Sequence, residues 1–275
     1  MQDLKLALLI LSMVCCGVQA AEDGRRAVSE KVWAERLKPD NFADRTIIDS
    51  TGQSVIRIRA PEWVDDPTTA PISIKAGQPQ TDESYINQIW LFIDRNPLPL
   101  VGRFELTPDS GRADMAMKVR VNDASYIRVI AETSSGDLYM DKAFMRTAGG
   151  GCSAPPGAGM EESMKKRGQM RVRLLGDVTL AQPVLTQIRI RHPNVTGLSL
   201  DVETRNRPPA YFLNELKVEY NGDPIIQGNM TFALSRDPTL RFYFQPDRAG
   251  KLRIIARDTK QQKYVSSHPV NMHAH

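Results

Sequence analysis

The chain has 275 residues, with 18 Gly, 18 Pro, three Cys, 41% hydrophobic residues and 25% charged residues. These values exclude a disordered, collagen-like or fibrous chain, and three cysteines exclude a disulfide-dense scaffold. The net charge of +4 is modest, and the basic residues lack the interleaved aromatics of a nucleic-acid platform, so nucleic acid is not an expected partner.

The first segment reads as an address. Lys5 is followed by an apolar run over residues 6–16, and Val18 and Ala20 are small residues suited to a cleavage site. The run is too short to span a bilayer, so residues 1–20 are predicted to be a secretory signal peptide cut after Ala20. No other segment is apolar over a membrane-spanning length, and no membrane anchor is expected. Cleavage would remove Cys15 and Cys16 and leave Cys152 as the one thiol. A single thiol in an exported protein is unusual, since oxidising compartments tend to pair, use or eliminate it.

Residues 21–50 are polar with one helical stretch. Ser29 is placed to cap it, with Val32, Trp33 and Leu37 on one face. From Pro61 onward the pattern becomes short runs rich in Ile, Val and Tyr, bounded by Pro, Gly, Asn and Asp. Strands are predicted near 55–60, 71–76, 86–93, 103–107, 113–121, 126–133 and 138–147. With no amphipathic helix between them, residues 51–148 read as an antiparallel sandwich.

Residues 149–167 break the pattern. Gly149, Gly150 and Gly151 precede Cys152, and Pro155 and Pro156 follow, so neither helix nor strand is expected around the thiol. A linker is predicted there, with the three glycines as its flexible flank. A second β pattern fills residues 168–275. Met170, Val172 and Leu174 alternate with arginines, and Leu240, Phe242 and Phe244 alternate with Arg241 and Tyr243. Further strands are predicted near 184–192, 216–220, 224–230, 251–257 and 263–268. Asn221-Gly222 marks a tight hairpin. The fold class is therefore all-β: two immunoglobulin-like antiparallel sandwiches in tandem after a short N-terminal helix. No tandem motif repeat is evident. Residues 1–160 carry a net −3 and residues 161–275 a net +7. That split favours docking of one module on the other, and solvated wet faces account for it equally well.

A thiol on a glycine-rich tether can carry a covalent group to several partner sites. A linker cysteine without a role, or one in an intermolecular disulfide, would leave the same spacing. The other candidates are bland. His192 ends a strand with no acid nearby in sequence, and His268, His273 and His275 lie near a terminus that offers no fixed metal geometry. Met115, Met117, Met140 and Met145 read as core filler, and Asp65, Asp66, Asp82 and Glu83 as turn residues. No hydrolase, zinc-protease, nucleotide-binding or haem-attachment motif is present. No metal, cofactor or catalytic residue is expected, and the chain does not read as an enzyme.

Two stretches resemble known families. Residues from about 50 to 152 are similar to the SoxY sulfur carrier, through Ala70-Pro71-Ile72, Ile93-Asp94-Arg95-Asn96-Pro97 and the run from Ala143 to the Gly-Gly-Gly-Cys at 149–152. Residues from about 168 to 269 resemble SoxZ, through Met170-Arg171-Val172-Arg173, Ile188-Arg189-Ile190-Arg191-His192-Pro193, Pro209-Ala210-Tyr211-Phe212-Leu213-Asn214, Val218-Glu219-Tyr220-Asn221-Gly222 and Asp237-Pro238-Thr239-Leu240. The whole resembles fused SoxYZ-like carriers associated with quinoprotein (PQQ-dependent) dehydrogenases. The resemblance implies a periplasmic location, a sulfur intermediate bound covalently at Cys152, and redox partners such as a quinoprotein dehydrogenase, a c-type cytochrome or sulfur-oxidising enzymes. The alternative is a non-covalent accessory module for the dehydrogenase system. One departure stands out: the family's carrier cysteine lies in a Gly-Gly-Cys-Gly-Gly tail at a free C-terminus, whereas here Ser153-Ala154-Pro155-Pro156 and a whole module follow.

Overall fold

A computed structural model describes residues 21–50, 55–155, 157, 159–200 and 205–272. The expected signal at 1–20, and His273 and His275, lie outside the described residues. The chain is helical over residues 21–42, with one turn widened to π form at Trp33–Leu37. The helix ends at Ala43, whose φ of 48° is left-handed and whose N–H closes on Pro39 O.

The first half then supplies β1 (Ile47–Asp49), β2 (Ile56–Arg59), β3 (Trp63–Val64), β4 (Ala70–Ala76), β5 (Ile86–Ile93), β6 (Leu100–Leu106), β7 (Met115–Val119), β8 (Ser125–Thr133) and β9 (Leu138–Thr147). A short helix, Met160–Lys165, precedes the second half. That half supplies β10 (Met170–Leu174), β11 (Val184–Ile190), β12 (Leu213–Tyr220), β13 (Asp223–Met230), β14 (Thr239–Phe244), β15 (Gly250–Asp258) and β16 (Lys263–Val270).

The strands form two sheets. The larger runs β1-β9-β8-β5-β6-β13-β12-β15-β16 with β3 beside β9, and the smaller runs β10-β11-β14-β7-β4-β2. The short strands β1 and β3 pair with β9 in parallel, and the pairs that build the two sandwiches are antiparallel. The all-β tandem sandwich expected from the sequence is present, and the two sandwiches are laid edge to edge. Strand β6 pairs with β13 from Leu106 opposite Ile226 to Gly102 opposite Met230. Strand β7 pairs with β14 at Met117 opposite Leu240 and Ala116 opposite Arg241. Merging the sheets removes exposed strand edges from both halves, which would otherwise template aggregation.

A single apolar cluster fills the space between the sheets, from Ile56 and Ile89 in one half to Phe242 and Ile254 in the other. At the seam the Phe104 ring lies against Gly228, where a Cβ would sit 2.9 Å from the ring. Strands β2 and β4–β9 occupy the places that β10–β16 occupy in the second half. The internal repeat is thus one of strand order rather than of motif.

Local sequence explains the faces. Strand β4 alternates buried and wetter residues as a half-covered strand should. Strand β5 is apolar on both faces because Trp90 and Phe92 lie under the N-terminal helix, with Trp33, Leu37 and Phe42, while Ile89, Leu91 and Ile93 face the main core. Ser29 does not cap the helix. It lies buried within it, donating to Asp94 Oδ2 (2.8 Å) and accepting from the Tyr126 amide (2.9 Å). Beneath it, fully buried Arg128 pairs with Asp94 at 2.9 Å and with Glu30 at 2.9 Å. At the other end of the molecule Asn221 (φ 52°) and Gly222 (φ 104°) form the expected turn between paired Tyr220 and Asp223.

Candidate functional site

The segment after β9 does not stand away from the body. It turns back into the seam between the halves. Gly149 and Gly150 have φ of 92° and 78°, a left-handed conformation that side chains other than glycine's rarely adopt. The Gly150 amide donates to Asn122 O (2.8 Å) and the Gly151 amide to Val121 O (3.1 Å). A Cβ on Gly151 would lie 2.2 Å from Pro67 O and 2.5 Å from Val121 O. The three residues expected as a flexible flank therefore act here as a fitted one. Their lack of side chains lets the backbone turn and approach other backbone closely.

Cys152 follows at the centre of a tight turn closed by the Ser153 amide on Gly150 O (3.0 Å). Its own carbonyl accepts from Thr196 Oγ1 (2.7 Å), which belongs to the long loop between β11 and β12. Both halves thus grip the segment. The thiol is 1% exposed, and the expectation of an openly presented sulfur is not met in this conformation. Burial pushes the thiol up to about 11, and the nearby Arg120 pulls weakly the other way. At neutral pH that leaves on the order of one thiolate in ten thousand, so the docked sulfur is a poor nucleophile. Its cover is thin. Ser153, Pro155 and Gly157 are exposed, and Cys152 joins neither apolar cluster.

Beside the covered thiol the seam opens into a groove of about 640 Å³. Its floor is formed by β7, β11 and β14, and residues Ala154, Pro155 and Gly157 line one side. Lys118, Arg120, Arg189, Arg236 and Arg241 supply positive charge, against one carboxylate, Asp237. Asp237 is already engaged, by Arg189 at 3.0 Å and Arg191 at 2.5 Å, and against the upward pull of burial, hydrogen bonds from Ser163, Arg191, the His192 amide and Arg189 hold its carboxyl below the usual range. The alternation of β7 would put Arg120 on the wet face with Lys118. Instead the strand ends at Val119, the Arg120 amide bonds Ala233 O (2.7 Å), and the side chain turns inward.

The loop that holds Cys152 is pinned by a buried polar network. His192 Nδ1 lies 2.8 Å from Asn194 Oδ1, and its other nitrogen is 3.5 Å from Asp258. Asp258 accepts from the Tyr211 and Tyr264 hydroxyls at 2.8 Å each. Burial pulls the His192 pKa down, which fits a neutral structural ring. The acid missing from its sequence neighbourhood comes from β15. Met115, Met117 and Met145 are buried, Met140 packs against the aromatic cluster, and His268 lies on β16. Asp66 accepts from Thr68 and Thr69, Asp65 accepts from the Trp63 indole, and Asp82 and Glu83 are exposed. Among the described residues no group of three His, Cys, Asp or Glu side chains is arranged to hold a metal, and no helix is long and apolar enough to cross a membrane.

The sequence identified Cys152 and its glycines but missed Arg120, Asn194, Thr196 and Arg236. Their contribution comes from loops whose paths depend on tertiary contacts. A basic residue at the end of a strand carries no local sign that it will fold inward.

Comparison with protein families matches residues 39–152 to sulfur oxidation protein SoxY and residues 170–269 to sulphur oxidation protein SoxZ. The first match ends on Cys152. No curated protein matches the chain. Among solved structures, the superoxide reductase (neelaredoxin) from Ignicoccus hospitalis aligns with 37% of this chain and 94% of its own, at 16% identity and a TM-score of 0.33. A glycosyl hydrolase family 2 member from Bacteroides cellulosilyticus aligns with 78% of this chain and 28% of its own, at 12% identity and a TM-score of 0.23. Likenesses this weak carry no argument. The two family matches follow one another without overlap, so the chain carries a SoxY domain over residues 39–152 and a SoxZ domain over residues 170–269 in one polypeptide.

Proposed function

We propose that the chain is a periplasmic sulfur carrier of the SoxYZ type that binds a sulfur intermediate covalently at Cys152 and presents it to partner enzymes. The observation that carries this reading is the place of the thiol. It is the last residue of the SoxY match, gripped by both modules and followed by a loop whose Ser153, Pro155 and Gly157 are exposed. Docking stores the sulfur as a neutral thiol, and release of the segment makes it reactive.

Release gives up a few backbone hydrogen bonds that water can replace, so it costs on the order of a few kcal/mol, within the range of local opening. Joining the sulfane sulfur of thiosulfate to the thiol forms one S–S bond and frees one proton and two electrons. A one-electron acceptor of the c-type cytochrome class, used twice, would take those electrons. A quinoprotein dehydrogenase system is a second candidate partner. Export through residues 1–20 would bring the carrier to such partners.

Intact mass of protein isolated from the periplasm tests the reading. Wild type is expected to carry, or to accept from tetrathionate, a sulfur adduct that Cys152→Ser lacks. A thiol that stays unmodified after the segment has been released with mild denaturant would end the carrier reading.

A second reading is favoured by the burial of the sulfur: a non-covalent accessory module that docks on a redox enzyme, with Cys152 as a packing residue. Under it, Cys152→Ser restores full function to a deletion strain. Under the carrier reading it restores none.

A further inference from the structure

The deep end of the groove holds a guanidinium without a counter-ion. Arg120 is 8% exposed. Its two terminal nitrogens reach only neutral carbonyls, Gly151 O and Asn194 O, at 3.3 Å each. Its Nε is buried with no hydrogen-bond partner, and it makes no ion pair among the described residues. Asp66, the carboxylate whose charge it feels, is occupied by the hydroxyls of Thr68 and Thr69.

A second guanidinium faces the same space. Arg236 is half-buried, spends one N–H on Gly157 O (3.0 Å), and has no ion pair among the described residues. It is near enough that its charge, with burial, pulls the pKa of Arg120 down. Lys118 and Arg241 also line the groove. Burying an unpaired charge is costly, and a like charge beside it adds to that cost. An anion with several oxygens would relieve both, because planar guanidinium groups bind such oxygens through charge-assisted hydrogen bonds.

We propose that this groove binds a sulfur oxyanion, with Arg120 at its floor and Arg236 at its rim. Two sources offer the same chemistry: a free anion such as thiosulfate, or the sulfonate end of an adduct on Cys152. The choice of a sulfur anion rests on the carrier reading, while the binding itself can be measured without it.

Calorimetric titration of thiosulfate into the full-length mature chain, with chloride at matched ionic strength as control, provides the test. Saturable binding is expected in wild type and in Cys152→Ser. Arg236→Ala should weaken it severalfold and Arg120→Gln by about tenfold or more, the scale of a lost charge-assisted contact. Lys251→Ala, a cation outside the groove, should leave it unchanged. Should Arg120→Gln fail to fold, Arg236→Ala and Arg241→Ala still decide the matter.

Tetrathionate separates the two sources. Cys152 thiolate attacks an inner sulfur, forming one S–S bond and breaking another. Thiosulfate departs, Cys152 is left bearing –S–SO3−, and the thiol proton goes to solvent. If the adduct fills the groove, loaded and desalted wild type no longer titrates. If free anion is the ligand, it titrates as before. Absence of saturable thiosulfate binding in both wild type and Cys152→Ser, or equal affinity in all the groove variants, overturns the proposal. Failure of tetrathionate to modify Cys152 would count against carriage alone, since the Cys152→Ser titration does not involve it.

Discussion

The two halves of the molecule share one order of strands and use it differently. In the first half the outer face of the large sheet lies under the N-terminal helix, and Arg128 and Asp94 are buried there as a pair. In the second half no helix among the described residues lies on the same face, and the solvent-reaching Lys217, Arg253 and Arg257 cover it through ion pairs with buried Glu219 and exposed Glu215. The connections differ too. The β4–β5 connection is short, whereas its counterpart between β11 and β12 is a long loop that brings Asn194 and Thr196 to the seam. After β9 the chain folds back into that seam, and its counterpart β16 leads to the C-terminal end of the described chain. The first half therefore supplies the sulfur and most of the bonds that hold its segment, and the second adds the Thr196 hydroxyl on Cys152 O. The shared strand order goes with one common core, and the differences lie in the loops.

The contrast can be broken most forcefully beneath the helix. Asp94→Ala should cost about 3 kcal/mol in denaturant unfolding, because it removes the buried partner of a fully buried Arg128 and leaves it only the partly exposed Glu30. A loss below about 1 kcal/mol would mean that the helix does not seal that face.

The next effect concerns the holder. Gly151→Ala cannot fit between Pro67 O and Val121 O and should expel the segment. Alkylation of Cys152 at neutral pH should then quicken by about 100-fold, as the thiol returns toward its free pKa. An unchanged rate would show that the glycine fit does not hold the segment in place.

A pH series sharpens the same point. The docked thiol is pushed up to about 11, above its value in the released or unfolded chain. Docking is thus fully favoured below the free thiol's pKa and is lost as pH rises toward about 11, by up to about 1.4 kcal/mol per pH unit. Wild-type alkylation should keep rising to that pH, while Gly151→Ala levels off near the free value.

The smallest change is expected from nicking the exposed loop near Gly157. The two fragments should remain together on gel filtration, since the paired strands and one shared core hold them. Separation without denaturant would show that the halves are independent bodies.

The strands of both halves were legible because alternation with a period of two is a local signal. Strands β10 and β14 and the Asn221-Gly222 turn stand where their residues predict. The merging of the sheets was not legible, because pairing of β6 with β13 depends on which edges meet in space. The N-terminal helix is longer than its short apolar face suggested. Ser29 sits inside the helix and not at its cap, because its partner, Asp94, is distant in sequence and leaves no local signal. The lone thiol and its glycines were visible from composition. Their fitted conformation was not, because the same glycine that loosens a chain also permits close backbone contact.

The continuous sheets have a consequence for any enzyme that would service the sulfur. With no hinge at the seam, only the loop between Thr147 and Met160 can carry it outward. A leash of five residues from Thr147 spans at most about 17 Å when drawn straight, and the second anchor shortens that further. A visiting catalytic centre must therefore lie in a shallow, wide-mouthed cleft that can straddle the junction, because a deep, narrow tunnel would stay out of range.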